Sequence, residues 1–322
     1  MTSMIQLDNL TKAFGSLRAV DNISLNVQKG EVLGFLGPNG AGKSTTMKMI
    51  TGFLSPTSGS VKIVSHDVAE QPVAIKKMIG YLPEGAPLYG EMTPKSFLKF
   101  IAEIRGLYGS EGRRLIEEAI NKVDIGKVLN QTIETLSKGY KRRVGLAQAI
   151  IHDPPILILD EPTDGLDPNQ KYQVRQLIRN MSADKAVIVS THILEEVEAV
   201  CTRAIIIAHG RILVDGTPEE LLLRSPLRNS LTVQLDSVDA QAALSDISRL
   251  TTVESAEMDQ KDSNKAEIRV FPKKNKNITL EVSAMLSSRG YNIFNLNTER
   301  GALEEVFRLV TEQVAEVDEE NE

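Results

Sequence analysis

The chain has 322 residues, of which 41% are hydrophobic and 25% charged, a composition that buries more than one small core and is too apolar for general disorder. Its 37 basic and 43 acidic side chains leave a formal charge of −6, which argues against a protein that coats nucleic acid, since that affinity comes from Lys and Arg neutralising phosphates. The one cysteine, Cys201, excludes an internal disulfide and any multi-cysteine metal site.

Taken in chain order, the N-terminal Met1-Thr2-Ser3-Met4-Ile5-Gln6 has neither the charged flank nor the apolar stretch of a secretion signal. No later run approaches the ~18 apolar residues that span a bilayer. A cytoplasmic chain is expected, with any membrane part supplied by another subunit. Alternating apolar and polar positions at 5–7 and 23–27 read as strands, and the turn Gln28-Lys29-Gly30-Glu31 leads into an apolar central strand at 32–36. A glycine-rich turn and a helix from 43 to about 51 follow. From 93 to 124 the pattern is helical, with Phe97, Phe100, Ile101 and Ile104 spaced to share one face. Beyond 136, helices alternate with short Val/Ile/Leu strands at 156–159, 186–190 and 204–208, the pattern of a mainly parallel sheet covered by helices. This first domain is assigned to 1–222.

The segment 223–229, with Arg224, Pro226 and Arg228, reads as a linker. After it come a strand (230–235), a helix (239–250), strands (253–258 and 267–271), a helix (277–288), a strand (292–297) and a helix (301–311). This β-α-β-β-α-β order predicts a ferredoxin-like α+β unit over 230–311. The acidic residues Glu316, Asp318, Glu319, Glu320 and Glu322 suggest a solvated tail over 312–322.

Three segments carry chemistry. Gly37-Pro38-Asn39-Gly40-Ala41-Gly42-Lys43-Ser44-Thr45 fits the phosphate loop G-x-x-x-x-G-K-[ST] between a strand and a helix. Its glycines let backbone N–H groups wrap an anion at a helix N-terminus; Lys43 would reach the β- and γ-phosphates and the Ser44 hydroxyl would ligate Mg²⁺. The alternative, an incidental glycine-rich turn, does not account for every position being filled. The apolar strand ending in Asp160-Glu161 puts one carboxylate where it can help hold Mg²⁺ and leaves the next to polarise a water; by itself such a pair could simply cap a helix. In Leu136-Ser137-Lys138-Gly139-Tyr140, Ser137 can cap a helix, and a capped N-terminus is also an anion-binding end.

Together these segments resemble the ATP-binding subunits of ABC transporters, over about residues 4–222. The resemblance implies a P-loop NTPase fold with an antiparallel β subdomain and a helical subdomain beside the parallel sheet, with ATP and Mg²⁺ bound. Here Lys138 replaces the first glycine and Tyr140 the glutamine of the family's Leu-Ser-Gly-Gly-Gln signature. In the family this signature closes over the γ-phosphate held by a second subunit, so one phosphate loop and one signature imply a head-to-tail pair with two composite sites. The same resemblance makes Phe14 the aromatic that stacks on adenine, Asp167 part of a loop communicating across the pair, and His192 the switch histidine that contacts the γ-phosphate and orients Glu161. Glu84 stands where the family usually has a glutamine; a carboxylate there can ligate Mg²⁺ but cannot donate as an amide does.

The stretches 136–146, 165–170 and 190–200 further resemble the gliding-motility-type ATPases of ABC-2 exporters, and the C-terminal unit looks like the accessory domain that follows such ATPases. That likeness implies a polytopic ABC-2 permease docking near 84–97, an extracytoplasmic auxiliary subunit, and attachment to the cytoplasmic face of the inner membrane. Other readings are a soluble ABC ATPase acting on ribosomes or DNA, a P-loop kinase and a non-hydrolysing regulatory subunit. The first usually carries tandem domains or long coiled-coil insertions, the second needs an acceptor site, and the third is opposed by Lys43, Glu161 and His192 all being present.

Overall fold

The computed structural model describes residues 3–85, 87–259, 265–273 and 276–319, the side chains of 259 and 313–319 excepted. The chain divides into two units, 1–218 and 219–322.

The first unit begins with two long strands, β1 (Ser3–Phe14) and β2 (Leu17–Gln28), followed by β3 (Val32–Leu36), α1 (Lys43–Ile50), β4 (Ser58–Ile63), β5 (His66–Asp67), α2 (Pro72–Met78) and β6 (Ile79–Leu82). Next come α3 (Pro94–Ile104), α4 (Gly109–Val123), α5 (Lys138–Ile150), β7 (Ile156–Asp160), α6 (Pro168–Ser182), β8 (Ala186–Thr191), α7 (Leu194–Val200), β9 (Arg203–Ala208) and β10 (Arg211–Gly216). Two sheets result. One is antiparallel, in the order β2-β1-β4-β5; the other runs β10-β9-β3-β8-β7-β6, parallel except for β10.

The sequence pattern explains the division. β2 alternates buried and exposed positions, as a strand with one wet face must, whereas every residue of β3, β7 and β8 is buried. Ile5, Leu7, Phe35, Met47, Ile158 and Ile205 belong to one core cluster that joins both sheets and α1. The parallel sheet thereby delivers the ends of β3, β7 and β8 to one edge of the unit.

The helical stretch 93–124 resolves into α3 and α4, and its expected apolar face needs correction. α3 buries Pro94, Phe97, Leu98 and Ala102, while Ile104 is 65% exposed and Phe100 lies at the surface. Leu98 and Ala102, four apart, continue the stripe from Pro94, so the buried face is rotated by about one position from the one that aromatic size suggests. Thr93 and Ser96 form a reciprocal capping box that fixes where α3 starts.

The second unit opens with α8 (Pro218–Leu222), whose first residue closes unit one, and continues through β11 (Leu231–Asp236), α9 (Ala240–Ser248), β12 (Val253–Asp259), β13 (Lys265–Pro272), α10 (Thr279–Arg289), β14 (Ile293–Thr298) and α11 (Leu303–Glu319). Its antiparallel sheet, β12-β13-β11-β14, places the first strand between the third and fourth, the ferredoxin-like arrangement expected from the element order. Leu231, Val233, Leu235, Ala243, Ile247, Val282 and Leu286 form its core.

Two boundaries differ from expectation. Unit two starts four residues before the assigned linker, and 223–229 is a run of hydrogen-bonded turns: Arg224 N donates to Leu221 O, Arg228 N to Ser225 O and Asn229 N to Glu299 O. α11 also continues to Glu319 instead of ending at 311, because no Gly or Pro interrupts 303–319. Of the expected acidic tail, 320–322 lie outside the described residues.

Candidate functional site

β3 ends at Leu36 and the chain turns through Gly37–Gly42 into α1. Gly42 adopts φ +104°, and a Cβ there would come 2.5 Å from Ala19 O; at Gly37 a Cβ would come 2.3 Å from Ile207 O. Only glycine lets the loop pass so close to neighbouring backbone. No side chain caps the N-terminus of α1, so its first-turn N–H groups are directed at whatever anion occupies the loop. Lys43 is buried and its Nζ donates to Gly37 O (2.6 Å) and Pro38 O (3.0 Å). Burial pulls the ammonium pKa below its ordinary value, while Glu161, Asp160 and Glu84 favour the charged form.

At the adjacent strand end, Asp160 is 2% exposed and accepts from Ser190 Oγ, which β8 presents alongside it. The next residue, Glu161, has φ +51°, a left-handed conformation uncommon for a non-glycine residue and characteristic of functional turns. Its N–H donates to Ser190 O at 3.1 Å. Nδ1–H of His192 donates to Glu161 Oε1 at 2.9 Å. Burial raises the Glu161 pKa above the usual carboxylate value, and the His192 hydrogen bond works against that rise. The result is an oriented carboxylate, more basic than one in water, facing a lysine. Such a pair can take a proton from water beside a bound phosphate.

Asn39, Gly40, Ala41, Gly42, Lys43, Ser44, Thr45, Glu84, Asp160 and Glu161 line one cleft of about 270 Å³. Among the described residues no cluster of three or more His, Cys, Asp or Glu could hold a metal alone. Mg²⁺ keeps several waters and takes one or two carboxylates together with substrate phosphates, and Ser44, Asp160 and Glu84 supply hard oxygen donors on the cleft wall.

The other sequence-derived candidates lie elsewhere. Phe14, at the end of β1, is 51% exposed with Lys12 Nζ 5.2 Å above its ring. Ser137 caps α5, accepting from Tyr140 N at 3.3 Å, and Asp167 caps α6, accepting from Gln170 N at 2.9 Å. A Cβ on Gly139 would come 2.5 Å from Gln170 Oε1, so the signature segment and the Asp167 turn are neighbours. None of Ser137, Gly139 and Asp167 lines the cleft of their own chain.

Sequence reasoning missed three supports. Ser190 braces both carboxylate residues. Glu196, 3% exposed, accepts from Thr163 Oγ1 and, at 3.0 Å, from Thr191 Oγ1, tying the segment after Glu161 to the residue before His192. Arg142 donates to Pro83 O, Asp160 O and Glu161 O. Arg142 is one of four charged residues in α5, with Lys138, Lys141 and Arg143, so the sequence does not single it out.

The ABC transporter family profile matches residues 20–164. An uncharacterised ABC transporter ATP-binding protein of Bacillus subtilis is 38% identical over 68% of this chain and 72% of its own length, and the linearmycin resistance ATP-binding protein of the same organism is 36% identical over 69% and 71%. The dimeric structure of a bacterial ABC transporter cassette superposes with a TM-score of 0.63 at 26% identity, covering 67% of this chain and 99% of that one. Among the described residues no helix is long and apolar enough to cross a membrane. The chain belongs to the ABC transporter family, as one of its ATP-binding, ATP-hydrolysing subunits.

Proposed function

We propose that this subunit works as half of a head-to-tail pair that powers export through a separate ABC-2-type permease, in the gliding-motility-type branch. The 1–222 region binds nucleotide and 230–311 is an accessory unit. Within one copy, the loop amides and Lys43 bind the β- and γ-phosphates of ATP, Phe14 stacks on adenine, and Ser44, Asp160 and Glu84 would hold Mg²⁺. When bound, that ion offsets phosphate charge. Glu161 takes the proton of the attacking water; His192 holds its Oε1 and reaches toward the γ-phosphate. As the family resemblance implies, Ser137, Gly139 and Asp167 serve the cleft of the second copy; none of them lines its own.

The observation that carries the catalytic assignment is the 2.9 Å His192–Glu161 hydrogen bond, which orients a carboxylate lining the same cleft as Lys43. Export is supported by Glu84, since the ABC-2 branch that the sequence resembles also carries glutamate at this position, by the ferredoxin-like unit that follows the ATPase, and by the linearmycin resistance in the name of one relative. The permease docks near 84–97, where Tyr89 is 58% exposed beside Phe100, and holds the subunit at the cytoplasmic face of the inner membrane. Glu161→Gln tests the chemistry. Turnover should fall by ~10²–10⁴-fold, the range for a general base, while ATP still binds. Hydrolysis at the wild-type rate would reject Glu161 as the base.

A further inference from the structure

Arg142 has no role in the chemistry described above, yet it is 6% exposed at the centre of the site's scaffold. It lies in the second turn of α5, the helix that Ser137 caps, and α5 packs on α3 and α4 as well as on β6 of the parallel sheet. Its Nη1 donates to Pro83 O at 3.0 Å, the residue before Glu84; its Nη2 donates to the carbonyls of both Asp160 and Glu161. The Nε has no partner, so the bonding is concentrated at the two fork tips. Four carboxylates, those of Asp160, Asp164, Glu161 and Glu84, favour its charged form against the cost of burial. The neighbouring Arg143 is equally buried but donates away from the cleft, to Val123 O and Gln173 Oε1.

We infer that Arg142 is a positioning residue for hydrolysis: its planar fork locks the Glu84 turn to the backbone of Asp160 and Glu161, and so fixes the carboxylates against the signature helix. The inference rests on the catalytic assignment proposed above. A guanidinium can hold Pro83 O at one tip and the Asp160 and Glu161 carbonyls at the other. A lysine ammonium keeps the charge but is a single point that cannot span both ends. Charge alone would therefore be rescued by lysine, and geometry would not. Because small displacements of a catalytic group cost rate more than binding, the loss should fall on kcat.

The test compares Arg142→Lys, Arg142→Gln and Glu161→Gln in the full-length protein, measuring kcat, KM and the equilibrium affinity for a fluorescent ATP analogue with Mg²⁺. Both Arg142 variants should lose about tenfold or more in kcat, with affinity for the analogue within about twofold of wild type, a split that general loosening of the fold would not give. Wild-type kcat in Arg142→Lys would overturn the inference, and so would a loss of nucleotide affinity that matches the loss of kcat. If neither Arg142 variant folds, Arg142 is a structural support and the inference falls. If Glu161→Gln itself turns over normally, the failure lies in the catalytic assignment, whatever the Arg142 variants do.

Discussion

Single side chains in this protein are tuned mainly by how far they are taken from water. Glu161 is held more basic by burial and Lys43 less so, with each favouring the other's charged form. His152 shows the same effect away from the cleft. Its Nε2 lies 2.9 Å from Arg105 Nη1, which also donates to Lys76 O at 2.8 Å, and 3.2 Å from Ile79 O. Burial, reinforced by the Arg105 charge, lowers the His152 pKa to about 4 from an ordinary 6.5. In the unfolded chain the ring takes up a proton as pH drops below 6.5, whereas the folded protein resists until about 4. Folding stability therefore decreases as pH falls through that window, by up to about 3 kcal/mol. Urea midpoints followed by circular dichroism at pH 7 and pH 5 should differ more for wild type than for His152→Gln, which keeps an acceptor for Arg105 but does not titrate. Equal pH dependence in the two would show that His152 is not the group responsible.

Among the elements, the close seating of α5 on β6 places the signature segment relative to the parallel sheet. Gly80 in β6 makes it possible: a Cβ there would come 2.1 Å from Ala149 O and 2.7 Å from Leu157 Cδ2. Gly80→Ala must push helix and strand apart, and overpacking of this kind costs ~1–3 kcal/mol. A lowered urea midpoint is expected, and an unchanged midpoint would mean that the contact is looser than described. The strands β3, β7 and β8 were legible because unbroken Val/Ile/Leu runs have few other places to go. The buried side of α3 was not, since Phe100 and Ile104 fit the helical period as well as Leu98 and Ala102 do. Periodicity identifies candidate stripes, and only the neighbouring elements decide which one is covered. Helix ends were legible where a cap is encoded, as at Thr93 and Ser137, and not at Glu319, where acidic composition outweighed the absence of a breaker.

For the molecule as a whole, the cleft residues could be found in the sequence because a phosphate loop and a strand-end acid pair are local patterns. Their supports could not. Ser190 and Glu196 act through side-chain hydroxyl–carboxylate bonds, and Arg142 through backbone carbonyls, on segments that the fold brings near, at sequence separations up to 59 residues for Arg142 and Pro83. Ser137, Gly139 and Asp167 lie off the cleft of their own chain, consistent with the central proposal that hydrolysis takes place in a head-to-tail pair. The most direct measurement is the solution mass of Glu161→Gln with and without ATP and Mg²⁺, by light scattering. Nucleotide should convert a 35.4 kDa species into one of twice that mass carrying two ATP molecules. A protein that binds ATP fully yet remains at the monomer mass would contradict the account.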